Sequence, residues 1–267
     1  VVNKDERNNL YLQYVRFTEQ IRPKFFILEN VKGLLTLKKG FFKDDIIKRF
    51  TSLGYNVNFK VLKASEDGVP HNRERVFFIG LRKDIFGDKF FEFPKGNPKK
   101  FVSTKDAISD LPNLDKKENS KEYNREAANQ YQKMMRKNSD KITNHDVTNH
   151  TEQTKKIISI VPDGCSIKDV DSELYKVRNY DTAFKRMDSK LPSSTIDCGH
   201  RNYFHYEQNR VPTVRESARI QSFPDVFEFL GSKTSQYTQV GNAVPPLLAN
   251  EIAKEIKKLL IMEDNDE

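Results

Sequence analysis

Cysteine is scarce in this sequence, and its scarcity excludes two classes of small, cross-linked protein. Only Cys165 and Cys198 occur among the 267 residues. Neither belongs to a Cys-x-x-Cys pair, and no histidine stands beside either at the spacing of metal ligands. We therefore expect neither a disulfide scaffold nor a structural zinc site, and we assign no metal ligand.

Long hydrophobic runs, an amino-terminal signal peptide and internal repeats are also missing. No apolar stretch approaches the roughly 20 residues that a membrane-spanning helix needs, and the amino end lacks the pattern of a secretory signal. The sequence therefore predicts a cytoplasmic protein with no membrane partner. Because the first residue is Val and residues 1–9 read like the interior of a domain, we also expect a further segment upstream.

The sequence does have an excess of positive charge. Lys and Arg number 46 against 38 Asp and Glu, which gives a formal charge of +8 and a pI near 9.2. This balance favours a polyanionic partner, although a generally basic, soluble surface is the alternative. The hydrophobic fraction of 36% suffices for the core of one large or two modest domains.

Helical and strand periodicities alternate in the first third of the chain, which predicts an α/β fold. Helical spacing covers 10–21 and 41–54, and strand patterns cover 25–29, 55–62 and 76–81. The run Phe-Phe-Ile-Leu at the start of the first strand predicts a strand that is covered on both faces.

The texture changes near residue 84, where Lys, Asn, Asp and Ser become dominant. Residues 120–137 and 151–161 are predicted helices, and 163–212 is loop-rich with short strands, as in a small, irregular second domain. Regular structure returns with a capping box at Thr213 and Glu216, which predicts the start of a helix. A final amphipathic helix is predicted over 246–261.

Glu29 and Asn30 stand where the first apolar strand is expected to end. Open α/β sheets build their sites at such strand ends. An isolated glutamate there is as well explained as a solvated loop carboxylate. The motifs around Glu29 decide between the two interpretations.

Four stretches, taken together and in this order, resemble the later motifs of the DNA cytosine-5 methyltransferase family. They are "DERNNL" at 5–10, "ENV" at 29–31, "GVPHNRERVFFIG" at 68–80, and "RESARIQSFPD" with "QVGNAVPPLLA" within 215–249. The resemblance implies the rear part of a Rossmann-like, S-adenosylmethionine-dependent methyltransferase domain with an inserted target-recognition domain. The expected domains are a catalytic part at 1–83, the target-recognition domain at 84–212, and a returning catalytic segment at 213–267.

The resemblance also implies catalytic roles for four residues. Glu29 would hydrogen-bond N3 and the exocyclic amine of cytosine, and a desolvated strand end would favour its protonated form by raising its pKa. Asn30 would brace the loop of the nucleophile. Arg75 would contact the carbonyl oxygen of the extruded base, and Arg73 the site and the adjoining phosphate. The two arginines alternate along an incoming strand, so both are expected on one face, although a solvated, charged turn is the alternative.

Three further residues match positions that contact the methyl donor, S-adenosyl-L-methionine. Asn242 and Ala243 lie in the carboxy-terminal motif, and Leu10 matches an apolar contact, although a leucine on a helix face is often a core residue. The chain departs from the family at His71, where glutamine is common; histidine keeps a hydrogen-bonding group but not the paired donor and acceptor of an amide. The role of His71 therefore stays open.

The Gly-rich cofactor motif and the Pro-Cys loop that open the family's sequences do not occur here. Cys165 and Cys198 lie downstream of Glu29, whereas the family's nucleophile precedes that motif, so neither cysteine is expected to be the nucleophile. We expect a fragment or split subunit of a prokaryotic, nucleoid-associated enzyme that acts on double-stranded DNA and is inactive without an amino-terminal segment or complementary subunit. The alternatives are a non-catalytic specificity subunit and an inert gene remnant. The recognised DNA site and the presence of a cognate restriction endonuclease stay open.

Overall fold

The structure, a computed structural model, describes residues 9–170, 184–196 and 203–266. The chain divides into two compact units. The first comprises residues up to 63, 74–95 and those from 251 onward, and the second comprises 64–73 and 96–250. The second unit thus extends beyond the predicted boundary at 212, so the three predicted domains do not coincide with the two units. The assignment of 84–212 to target recognition stays a prediction.

The first unit is built on a three-stranded sheet with helices connecting its strands. Its strands are β1 (Phe25–Val31), β2 (Tyr55–Lys63) and β3 (Glu74–Arg82), in the order β1-β3-β2. Because β3 is antiparallel to both neighbours, β1 and β2 run parallel to each other. Helix α1 (Leu10–Ile21) precedes β1, and α2 (Phe41–Ser52) connects β1 to β2. The predicted α/β alternation is confirmed.

An aromatic cluster between the sheet and α2 forms the core of the first unit. Phe26 of β1 stacks on Phe50 of α2 with ring centroids 4.0 Å apart. On the sheet, Phe26 lies opposite Gly80 of β3, and a Cβ atom on residue 80 would lie 2.0 Å from a Phe26 ring carbon. Glycine at 80 therefore makes room for the ring that joins sheet and helix.

Strand β1 differs from its prediction in two ways. Phe26 and Leu28 are buried, but Ile27 is 36% and Val31 is 52% exposed, so the expectation of a strand covered on both faces is wrong. The reason is position: among the described residues β1 is at the edge of the sheet and pairs with β3 alone. Strand β1 also continues to Val31, so Glu29 lies within the paired part of the strand and not beyond its end.

The second unit is mainly helical. The first unit also contains the short helix α3 (Lys83–Phe86). The elements of the second unit are α4 (Thr104–Ile108), α5 (Gln130–Arg136), α6 (Glu152–Ile160), β4 (Lys185–Arg186), β5 (Tyr203–Phe204), α7 (Val214–Ile220) and α8 (Lys233–Asn242). The final helix, α9 (Pro246–Asp266), begins in the second unit and ends in the first. The helix predicted over 120–137 is confined to α5, and α8 was not predicted. The predicted capping box at the start of α7 is confirmed.

Helix α7 is wholly buried, and its two arginines are structural. Arg219 places Nε 2.6 Å from an Asp225 oxygen and Nη1 3.0 Å from an Asp110 oxygen, with all three side chains inaccessible to solvent. Arg215 donates to the main-chain oxygen of Thr143 at 3.0 Å. Buried charges of this kind persist only when they are paired, so these residues hold the second unit together.

Candidate active site

A cavity of about 870 Å³ in the first unit brings together three of the predicted site residues, Leu10, Glu29 and Asn30. Apolar side chains of α1, β1 and the following turn form much of its wall. The complete lining is Leu10, Tyr11, Tyr14, Ile27, Leu28, Glu29, Asn30, Val31, Gly33, Leu34, Leu37 and Ile46. An apolar cavity with a few polar groups is the usual form of a small-molecule site.

Glu29 and Arg75 meet at this end of the sheet. Arg75 of β3 pairs with Val31 of β1, which is two residues along the strand from Glu29. The Arg75 guanidinium can therefore reach the Glu29 carboxylate. Arg75 Nε lies 3.1 Å from Glu29 Oε1, and the two side chains are 15% and 26% exposed. The sequence predicted an apolar surrounding for Glu29. The structure adds a cation, the Arg75 guanidinium, directly beside the carboxyl group.

The residues next to this pair take separate positions. The side chain of Asn30 accepts a hydrogen bond from the Val31 amide at 2.8 Å, which ties it to the strand end. Glu74 pairs with Lys32 at 3.0 Å, whereas Arg75 pairs with Glu29, as alternation along β3 requires.

Arg73 does not share that alternation. Strand β3 begins at Glu74, so Arg73 lies before it and the predicted strand alternation of the two arginines is wrong. Arg73 belongs to the second unit and is only 2% exposed. Its carbonyl accepts from the Ala64 amide at 2.9 Å, and its own amide donates to the His71 carbonyl at 2.9 Å. The bond to His71 closes a turn just before β3.

Two tyrosines of α1 line the cavity and were not predicted as site residues. The Tyr14 hydroxyl donates to the carbonyl of Ile27 at 3.0 Å, and the Tyr11 hydroxyl donates to Asp45. Burial raises the pKa of Tyr11 to about 12, with the Asp45 carboxylate adding to the effect. Both hydroxyls are therefore neutral donors: Tyr14 holds α1 beside β1, and Tyr11 holds α1 beside α2. Their spacing along α1 indicated only a helix face, so the sequence held no signal of this role.

The predicted donor contacts Asn242 and Ala243 lie at the end of α8 in the second unit. Asn242 is exposed, and Ala243 is half-buried. The carbonyl of Ala243 accepts a hydrogen bond of 3.0 Å from the side chain of Gln221. Gln221 belongs to the "RESARIQSFPD" motif, but it was not singled out because a glutamine at a helix end is most often exposed.

Cys165 belongs to the second unit, whereas Glu29 and Arg75 belong to the first. Cys165 is half-buried and packs beside the apolar cluster of Ile157, Ile158 and Ile167 in the second unit. Cys198 lies outside the described residues. In the described part of the chain, no group of three or more metal-ligating side chains occurs, and no helix has the length and apolar character to span a membrane.

The sequence matches known DNA methylases along nearly its whole length. The model of the family "C-5 cytosine-specific DNA methylase" matches residues 2–258. The chain is 40% identical over 255 residues to the Type II methyltransferase M1.HphI of Haemophilus parahaemolyticus, covering 96% of this chain and 62% of that protein. It is 37% identical to the Type II methyltransferase M.DdeI of Desulfomicrobium norvegicum, covering 95% of this chain and 67% of that protein. The chain thus spans about two thirds of the length of these relatives.

Solved structures share the α/β fold. A prophage-encoded protein of E. coli, described as a DNA modification methyltransferase, matches with a TM-score of 0.73 at 24% identity over 96% of this chain and 75% of that chain. The Entamoeba histolytica methyltransferase EhMeth matches with a TM-score of 0.56 at 13% identity over 96% and 70%. At these identities the matches show the fold alone.

Proposed function

Because the chain belongs to the C-5 cytosine-specific DNA methylase family, we propose that it is the ring-activating and DNA-recognising part of an enzyme that methylates C5 of cytosine in a specific duplex site. The observation that carries the proposal is the Glu29–Arg75 pair, in which Glu29 lines a cavity of the α/β unit. A carboxylate and a guanidinium at one point can bind both a donor and an acceptor on one edge of a base.

Glu29 would activate the ring. C5 of cytosine is an unactivated carbon, and a nucleophile adds to C6 only if the negative charge that develops on the ring is neutralised where it appears. A carboxyl group at N3 and the exocyclic amine can do this by sharing or donating a proton. The proton of the Glu29 carboxyl group would move to N3 as negative charge develops on the ring, and the carboxylate left behind would pair with Arg75.

Arg75 would also orient the base. Its Nε lies 3.1 Å from Glu29 and its Nη1 donates to the Glu74 carbonyl at 2.8 Å, which fixes the remaining guanidinium donors beside the carboxylate. A carbonyl oxygen next to N3 is a suitable acceptor for one of those donors. The target base would be extruded from the duplex to reach this site, as chemistry on a base requires.

S-adenosyl-L-methionine fits the cavity in volume and character. The cavity volume of about 870 Å³ lies within the range of about 300–1,000 Å³ for small-molecule sites. When bound, this cofactor would supply the methyl group as an electrophilic methyl sulfonium. Leu10 would contact an apolar part of it, and the resemblance assigns further contacts to Asn242 and Ala243.

A separate segment or subunit would supply the nucleophile and complete the donor site. Support comes from the context of Cys165 and Cys198, neither of which follows the proline of a Pro-Cys loop. Further support comes from the edge of β1, which pairs with no second strand among the described residues and presents exposed Ile27 and Val31. Such an edge accepts an added strand. We assign it as the docking place of the complementing part.

Trapping of the nucleophile tests this division of labour. The chain would be combined with the amino-terminal part of the M1.HphI relative, co-purification would verify assembly, and duplex DNA carrying a mechanism-based cytosine analogue would be added. We expect a covalent adduct on the added part, an unlabelled 267-residue chain, and no adduct with the chain alone. Attachment to Cys165 or Cys198 would overturn the proposal.

A further inference from the structure

His71 and Gln221 form a buried hydrogen-bonded pair, and each side chain also bonds to main-chain groups. Both side chains are fully buried in the second unit. His71 Nδ1 lies 2.7 Å from Gln221 Oε1, and His71 Nε2 accepts a hydrogen bond of 2.7 Å from the Ile196 amide. The Gln221 amide nitrogen donates to the carbonyls of Val240 and Ala243, at 3.0 Å each.

The main-chain partners determine which ring nitrogen carries the proton. The Ile196 amide can only donate, so His71 Nε2 must present a lone pair. The carbonyls of Val240 and Ala243 can only accept, so the Gln221 nitrogen faces them and its oxygen faces His71. Neutral His71 therefore carries its proton on Nδ1 and donates it to Gln221.

This tautomer resolves the open question about His71. In the Nδ1–H form the ring presents one donor and one acceptor on opposite sides, which is the pair that an amide side chain would present. The expectation that histidine lacks this pair is therefore wrong. The ring also stands in a turn that is held from both sides, since the Asn72 amide donates to the Ser193 carbonyl at 2.8 Å and the Ser193 amide donates to the Pro70 carbonyl at 3.0 Å.

We propose that His71 is a positioning residue that acts through Gln221 on the end of α8, and so on the Asn242–Ala243 segment assigned to the methyl donor. The Gln221 side chain donates to the carbonyls of Val240 and Ala243, which lie on either side of Asn242 in the chain. With His71 in place, the Gln221 amide has one orientation. Without it, the amide loses the bond that fixes that orientation. The role of Asn242–Ala243 in donor binding rests on the proposed function.

The tautomer and the coupling are both measurable on the 267-residue chain without any methyl transfer. Long-range nitrogen–proton NMR of the labelled imidazoles, with His71→Gln for assignment, should show the Nδ1–H tautomer of His71. Amide hydrogen exchange over residues 238–246 should become faster in Gln221→Leu and His71→Leu and should stay at the wild-type rate in His71→Gln. Thermal unfolding verifies that each variant is folded.

In the complemented enzyme, the same variants separate positioning from a general loss of folding. We expect His71→Leu and Gln221→Leu to raise the KM for S-adenosylmethionine by roughly tenfold with kcat changed much less, the signature of lost binding, and His71→Gln to behave like wild type. An Nε2–H tautomer, unchanged exchange over 238–246 in folded His71→Leu, or equal KM values would overturn the proposal. If the wild-type complex does not methylate at all, the proposed function fails, and the tautomer and exchange measurements alone decide the role of His71.

Discussion

At the scale of single residues, the proposed activity depends on the pairing of Glu29 with Arg75. The two lie 3.1 Å apart, Glu29 lines the cavity, and each side chain is mostly removed from solvent. A carboxylate in this position is neither a solvated loop residue nor a fully desolvated acid. The guanidinium compensates part of the cost of burying it. The pair is thus prepared to receive a group that offers both an acceptor and a donor.

Glu29→Gln should lower the turnover of the complemented enzyme at least ~100-fold, the usual scale of acid–base catalysis. Glutamine keeps the shape and one hydrogen bond, but it cannot supply a proton. Glu74→Gln is the matched control, because Glu74 is the neighbour of Arg75 on β3 but its carboxylate pairs with Lys32. Single-turnover methylation and DNA binding would be measured together. Near-normal turnover in Glu29→Gln with unchanged DNA affinity would count against the assigned role.

At the scale of elements, β1 and β3 pack so closely at Phe26 and Gly80 that no side chain fits at position 80. Gly80→Ala would place a methyl group on the Phe26 ring, so we expect a loss of about 1–3 kcal/mol in the free energy of unfolding, as for other overpacked cores. Gly33→Ala is the control, since nothing lies within 4 Å of its added Cβ. Denaturant unfolding measures both. Adding Phe26→Leu should recover part of the loss, and full stability of Gly80→Ala alone would contradict the packing.

The loop after β5 should make stability sensitive to mild acid. Burial lowers the pKa of His205 to about 3, and its Nδ1 accepts 3.0 Å hydrogen bonds from the amides of Glu207 and Gln208. Since the unfolded histidine titrates near pH ~6.5, the unfolded state binds more protons as pH falls below that value. The free energy of unfolding should therefore fall by up to about 1.4 kcal/mol per pH unit for this residue.

Unfolding of His205→Asn over the range from about pH 7.5 to 5.5 checks this slope. Asparagine can accept from the same amides, but it has no proton to gain, so the variant should lose a smaller part of its stability in acid than the wild type. The range lies above the titration of ordinary carboxylates. Equal slopes for the two proteins would show that His205 does not titrate on unfolding.

The elements show what the sequence could and could not predict. Helix α2 follows from periodicity, because it buries one regular face with Phe42, Ile46 and Phe50. Strand β3 follows from a continuous apolar run, which is buried along its length. The coverage of β1 did not follow, because an apolar run reads the same at the edge and at the centre of a sheet. The start of β3 after Arg73 depended on a turn hydrogen bond, and the Glu29–Arg75 contact depended on strand register. Gln221 was missed for a related reason, since its partners come from distant parts of the chain.

At the scale of the whole molecule, the excess of positive charge should appear as salt-sensitive DNA binding. Each phosphate that Lys or Arg neutralises releases counterions, so affinity falls as salt rises. With a formal charge of +8, we expect the affinity of the chain for duplex DNA to fall by about tenfold or more between roughly 50 and 200 mM salt. Fluorescence anisotropy measures it. The nucleic-acid assignment would be refuted if the chain did not bind duplex DNA at low salt, or if its affinity did not change with salt concentration.

The most direct test of the central claim is the identity of the methylated nucleoside. The chain would be co-expressed with the amino-terminal part of the M1.HphI relative, with Cys165 and Cys198 both replaced by Ser, and the DNA would be digested and analysed by mass spectrometry. We predict 5-methylcytosine, which should disappear in Glu29→Gln and be absent when the chain is expressed alone. Methyl groups on N4 of cytosine or N6 of adenine, or no 5-methylcytosine from a verified complex, would contradict the account.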